Sequence, residues 1–353
     1  AERALALGEA EEAHGWAQGA LALLVPDADA TRERDVTLLY ARTAVALGDL
    51  VAARVALARA RSCSASPADD ARVGVELAEI AYLGGDLRAA VEEADRARDA
   101  GDARARLKAR NVLGKVMLAE ARWDEADRHF AEDAQEALAG GDLAGELRAR
   151  LNRGIAILSK GLLEEARAIF EAVLADGERR RDARACAFAL ANLSVVAAWK
   201  HEYAVALSLA ERTLKLSQHI GDRMKVAQTL ATVAELRLKL GLFAHAEHAI
   251  AFGRRTLGPG IPPARSAHFC VVAARIALAR GFTEEAQREI ARAIAEAEAD
   301  GGREVLAQAY RVAARVALED GDLGRAAELI ARTREVAPTD EARAETAMLA
   351  ALH

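Results

Sequence analysis

The chain has 353 residues; 52% are hydrophobic but only 4% aromatic, so alanine and leucine must build its core. Its 48 basic against 54 acidic residues give a formal net charge of −6, which argues against general nucleic-acid binding. No apolar run approaches the about 20 residues needed to cross a bilayer, no signal peptide is visible, and Cys63, Cys186 and Cys270 have neither metal-ligand nor disulfide spacing, so a reducing, cytoplasmic setting is expected.

Alanine recurs in step at Ala13, Ala53, Ala90, Ala126, Ala166, Ala206, Ala246, Ala286 and Ala326, the last six of them 40 residues apart. A second small row runs twelve residues ahead of it, at Ala1, Ala41, Ala78, Gly114, Gly154, Ser194, Ala234, Ala274 and Ala314. Two phase-locked small positions per unit predict two helices, A and B, that cross closely in every repeat.

The units follow in chain order. The first is entered in the middle of a helix A at Ala1, and its helix B carries Ala13 and Trp16. Turns between A and B are expected near residues 8, 48, 85, 121, 161, 201, 241, 281 and 321, with glycine at 161, 241, 281 and 321 and with Ala121 and His201 in the same phase. Turns between repeats fall at Gly101, Gly141, Gly221 and Gly301, with Arg181 and Ile261 in phase. Asp102, Asp142 and Asp222 follow three of these glycines and are predicted to cap the next helix A. In the fourth unit Trp123 and Phe130 are large residues placed to pack against the small rows. Leu163, Tyr203, Phe243 and Leu323 stand at the Trp123 phase, and Phe170, Ile250, Ile290 and Ile330 at the Phe130 phase. All six prolines, Pro26, Pro67, Pro259, Pro262, Pro263 and Pro338, are expected between repeats, because a proline inside a helix costs about 3 kcal/mol. After Pro338, Thr339-Asp340-Glu341 reads as the cap of a further helix that stops at His353. Both ends therefore read as cut from a longer protein whose attached output domain lies outside the segment.

The small residue of helix A, the turn glycine, the aromatic or leucine two residues later and the alanine three beyond that resemble the tetratricopeptide repeat family. The resemblance covers about eight and a half repeats, residues 1 to about 338, with Pro338 matching the family's proline after helix B. It departs in the 40-residue unit, against 34, and in lacking the early tryptophan of helix A. Longer units of this kind look like those of helical sensor regions in bacterial regulators and signalling proteins. The resemblance implies an all-α, right-handed α-solenoid forming a single array over residues 1–353, with helix A lining a concave face.

Read by repeat phase, that face offers Lys108, Asn111 and Lys115 in repeat 4, Arg148 and Asn152 in repeat 5, and Asn192 with Phe188 and Trp199 in repeat 6. Repeat 7 offers Gln228, Thr232 and Glu235, and repeats 8 and 9 offer His268, Arg275, Gln308, Arg311 and Arg315. In peptide-binding members of the family, asparagine at the phase of Asn152 and Asn192 holds the ligand backbone. Its amide has both a donor and an acceptor for a peptide bond. Lys108, Lys115 and Arg148 are then placed for an acidic or C-terminal carboxylate. Asp35, Glu76 and Glu79 make the N-terminal groove acidic, while Arg275, Arg311 and Arg315 make the C-terminal one basic. The competing reading of every such position is a solvated face.

His245 and His248 lack a third ligand at metal-binding spacing, and Glu164-Glu165 and Glu284-Glu285 read as helix-dipole partners at the start of helix B. No phosphate loop or nucleophile elbow is present. The expected function is a non-catalytic scaffold that binds a peptide or partner domain on its concave face, without cofactor, metal, nucleic acid or membrane. The alternative is a small-molecule or signalling-peptide sensor in a bacterial transcriptional regulator, for which an enclosed cavity would be the mark.

Overall fold

In a computed structural model, residues 4, 10–24, 29–47, 49–257, 263–300 and 303–336 are described. Ala1, Pro26, Pro259, Pro262, Gly301, Pro338, the turns near 8 and 48 and the helix expected after Thr339 lie outside them. Seventeen helices and no strand occur among the described residues. They fall into two compact units, residues 1–224 and 225–353.

The first unit contains α1 (Ala10–Ala22), α2 (Ala30–Leu47), α3 (Leu50–Ser62), α4 (Pro67–Leu83), α5 (Leu87–Ala100), α6 (Ala103–Ala119), α7 (Trp123–Ala139), α8 (Leu143–Ser159), α9 (Leu163–Arg180), α10 (Ala183–Trp199) and α11 (Tyr203–Ile220). The second contains nearly all of α12 (Arg223–Lys239), then α13 (Phe243–Leu257), α14 (Pro263–Ala279), α15 (Thr283–Asp300), α16 (Arg303–Glu319) and α17 (Leu323–Val336). Even-numbered helices are the A helices and odd-numbered ones the B helices of the repeats read from sequence.

Both small rows lie at the helix crossings. Ala126, Ala166, Ala206, Ala246, Ala286 and Ala326 are fully buried, and so are Ala234, Ala274 and Ala314. Glycine replaces alanine in α6 and α8 because phenylalanine faces it. A Cβ on Gly114 would stand 2.6 Å from the Phe130 ring, and one on Gly154 would stand 2.4 Å from that of Phe170. The Phe130 phase is core as expected, with Phe130, Phe170, Ile250, Ile290 and Ile330 buried. The Trp123 phase differs. Trp123, Leu163, Tyr203 and Phe243 are only half-buried and Leu323 is exposed, because this residue opens helix B and only one side of it meets helix A.

The capping reading holds where it can be followed. Asp102 accepts from the Ala105 N–H and Asp142 from the Gly145 N–H, and Asp49, Asp86 and Asp182 do the same for α3, α5 and α10. Pro67 and Pro263 open α4 and α14, where a missing N–H removes no helical bond. The turn residues Gly161, Gly241, Gly281 and Gly321 are left-handed, and Ala121, Arg181 and His201 adopt the same conformation with side chains. Gly101 is extended instead, with φ −87°.

Within the first unit each A helix touches the next: α2 and α4, α4 and α6, α6 and α8, α8 and α10. In the second unit α14 touches α16. Successive B helices make no comparable contact among the described residues. Layers that touch on one side and splay on the other curve toward the touching side, so the A helices form the inner face.

Candidate functional site

Each inner face is built by the outward positions of its A helices, and the two units differ in chemistry. At the α2–α4–α6 end of the first unit the basic residues are already matched. Glu76 stands 2.7 Å from Arg42 and 3.1 Å from Lys108. Burial pushes the Glu76 carboxyl up, but the two cations outweigh it and hold it below its ordinary value. Burial likewise lowers the Lys108 ammonium, opposed by Glu76. Lys115 donates to Glu79 at 2.6 Å and sits 5.1 Å above the Tyr82 ring. Sequence phase identified both lysines and both acids but not that they would neutralise each other across neighbouring A helices.

Farther along, on α8 and α10, the face becomes amide-bearing and apolar. Asn152 and Asn192 are half-buried on touching helices. The Asn192 amide donates to the Phe188 carbonyl one turn back at 2.9 Å, which fixes its rotamer. Asn111, on α6, and Asn152 make no side-chain hydrogen bond among the described residues. Phe188 and Trp199 flank Asn192 on the same helix stripe and are 39% and 40% exposed. Arg148 is exposed at the start of this stretch. Its charge also reaches the buried Asp133 of α7, helping to lower a carboxyl that burial raises.

The second unit has its own inner trough. Glu235 of α12, His268 and Arg275 of α14, and Gln308, Arg311 and Arg315 of α16 line an open cavity of about 490 Å³. Arg275 donates to Glu235 at 2.7 Å, and Arg315 to Glu319 one turn on at 3.3 Å. Gln228 is exposed, and the Thr232 hydroxyl donates to its carbonyl at 3.4 Å. Lys239, Val271 and Leu278 also line this trough and were not read from the sequence. The signal was the repeat phase itself, since Leu238 and Leu278 stand 40 residues apart.

Behind the trough, Arg254 binds Glu289 through both ends of its guanidinium and approaches the Cys270 sulfur at 3.3 Å. Burial pushes the Cys270 thiol up to about 12, so it stays protonated and packs as an apolar group.

Solved structures of the same architecture run the whole length of the chain. A Rap protein complexed with competence and sporulation factor superposes with a TM-score of 0.70 at 11% identity, covering 98% of this chain and 97% of that one. NprR in complex with its cognate peptide NprX gives 0.61 at 14%, covering 95% and 96%. A signal-transduction ATPase with a tetratricopeptide repeat sensor, from Pyrococcus horikoshii, gives 0.58 at 13%, covering 98% of this chain and 55% of that one. The fold is a tetratricopeptide-type solenoid. At these identities the likeness is one of fold. No protein-family model matches the sequence. No curated protein matches it either. The long-unit solenoid read from the repeat phase is thus the architecture observed. No described helix is long and apolar enough to cross a membrane.

Proposed function

We propose that this protein is a non-catalytic peptide-binding regulator that holds an extended segment against the A-helix face. The observation that carries this reading is the α8–α10 stretch, where Asn152 and Asn192 sit in phase on touching helices beside the exposed rings of Phe188 and Trp199. The amides match the donor and acceptor of a peptide backbone, and the rings supply anchors for apolar side chains. NprR, solved with its cognate peptide, and the Rap protein, solved with competence and sporulation factor, support it by fold. The open trough of the second unit favours a chain-like ligand over an enclosed small molecule. Lys108 and Lys115 enter this reading as ion-paired walls, and Arg148 as an exposed cation one helical turn before Asn152.

The test is an overlay of the full chain on a peptide array, followed by fluorescence anisotropy with the peptides retained. Asn152→Ala combined with Asn192→Ala is expected to weaken binding at least about tenfold, since each loses hydrogen bonds to a desolvated backbone. An array that retains nothing, or affinities untouched by the double variant, would overturn the proposal.

A further inference from the structure

We infer that the α8–α10 stretch selects its peptide by side-chain polarity: one edge of the bound segment carries apolar residues at alternate positions, and lysine or arginine there is rejected. This deepens the peptide reading and rests on it. The residues that set the choice are Ile155 and Val195, which stand at one repeat phase on touching helices.

Each helix presents one stripe. On α8 it runs Arg148, Asn152, Ile155 and Ser159, and on α10 Phe188, Asn192, Val195 and Trp199, with the same i, i+4, i+7, i+11 spacing. Side by side, the stripes form rows across the two helices. Asn152 and Asn192 make the amide row. The next row, about 4.5 Å farther along the helix axes, is Ile155 and Val195. Both side chains are half-buried and rest against the core cluster that contains Leu151 and Leu193. β-Branching leaves each of them essentially one rotamer in a helix, so the row is stiff before a ligand arrives. Trp199, one turn beyond Val195 and exposed, closes the α10 end of this shelf. On the α6 side the same row ends at Lys115, whose ammonium is bound by Glu79.

A backbone held along the amide row puts successive side chains on opposite edges. Residues i and i+2 stand about 6.6–6.8 Å apart on one edge, near the about 8–10 Å between packed helices, so two alternate side chains cover Ile155 and Val195. Charge excludes the other chemistry. The whole of α10 contains no Asp or Glu, and its one charged residue, Arg184, lies 3.9 Å from Asp222. The one acid of α8, Glu146, is buried and accepts from Arg150 and Arg180. A peptide ammonium or guanidinium on this edge therefore finds no open carboxylate on either helix and is desolvated against Ile155 and Val195. Apolar side chains lose nothing there and gain burial.

The experiment uses the full chain and three labelled octapeptide pools that differ only at two alternate positions, which hold leucine, glutamine or lysine. Fluorescence anisotropy gives the affinities. The leucine pool is expected to bind at least about tenfold more tightly than the glutamine pool, as burial of one apolar side chain supplies, and the lysine pool more weakly than either. Val195→Thr, which keeps the shape and replaces a methyl by a hydroxyl, should cut the leucine preference about threefold. Val195→Glu should raise lysine-pool binding at least about threefold above wild type, a gain that a merely damaged fold does not produce. Asn152→Ala with Asn192→Ala should weaken the leucine and glutamine pools alike, because both keep the same backbone. Equal binding of the leucine and glutamine pools overturns the selective edge, and so does a leucine preference that Val195→Glu leaves intact or a wild-type preference for lysine. In each of these cases the peptide reading stands if binding still falls in the double asparagine variant. If no pool binds, or none responds to the loss of the asparagines, both readings fall.

Discussion

At the scale of single residues, size matching across a helix crossing explains substitutions that the repeat pattern otherwise leaves arbitrary. Gly154 faces Phe170, whereas Ala234, Ala274 and Ala314 in the same row stand in phase with Ile250, Ile290 and Ile330. Gly154→Ala is therefore expected to cost about 1–3 kcal/mol by overpacking. Gly154→Ala with Phe170→Ile, which copies the later repeats, should recover most of that in urea unfolding. Asp133 is a second case. It is 3% exposed, and although Arg110 Nε lies 2.7 Å from Oδ1, the alignment is poor and neither oxygen accepts a hydrogen bond. Burial, opposed by Arg110 and aided by Glu136 and Glu132, pushes its carboxyl up to about 7. Because the folded state holds this proton more tightly than the unfolded chain, its contribution to stability is complete below about pH 4 and is lost as pH rises through about 7. Asp133→Asn should flatten that slope and stabilise the protein at pH 8, by an amount on the order of a few kcal/mol, in urea titrations run at pH 4 to 8. None of this was legible in the sequence, where Asp133 is one acid among several on α7.

At the scale of elements, boundaries were legible because turns and caps use local chemistry. The caps at Asp102 and Asp142 and the left-handed glycines at 161, 241, 281 and 321 need only the residues beside them. Ala121 and His201 were placed in those turns by phase alone, and both carry a left-handed backbone that a side chain disfavours. Ala121→Gly should raise stability by about 0.5–1 kcal/mol, measured as a higher urea midpoint, because relief of the Cβ clash exceeds the added unfolded-state entropy. What the pattern misjudged was the Trp123 phase. Hydrophobicity marks a residue as suited to burial, but the first residue of helix B has a neighbour on one side only.

At the scale of the whole molecule, polar ties recur between repeats in step with the crossings. Lys160 binds Asp124 and Lys200 binds Glu164, each at 2.8 Å, while Arg280 binds Glu247 and Gln287 donates to Asp320 at 2.7 Å. Each joins the end of a helix A to helix B of the preceding repeat. Asp124 and Glu164 are 84% and 72% exposed, so solvent screens these pairs and they set register more than stability. Lys200→Met should leave the urea midpoint unchanged within error. Ala166→Leu, at a fully buried crossing, should cost about 1–3 kcal/mol. If the two variants behave alike, cohesion between repeats does not lie in the small-residue crossings.

From the sequence alone came the helical repeat, its 40-residue phase, the crossing residues and the face that A helices turn outward, because each is a local pattern repeated many times. Only the tertiary structure decided which of the outward charges are spent on one another. Lys108 and Lys115 meet Glu76 and Glu79 more than 30 residues away, and Arg275 meets Glu235 at the second unit's trough. Such pairing depends on how side chains from successive helices meet in space. Helical phase gives each residue a direction, but only packing gives it a partner.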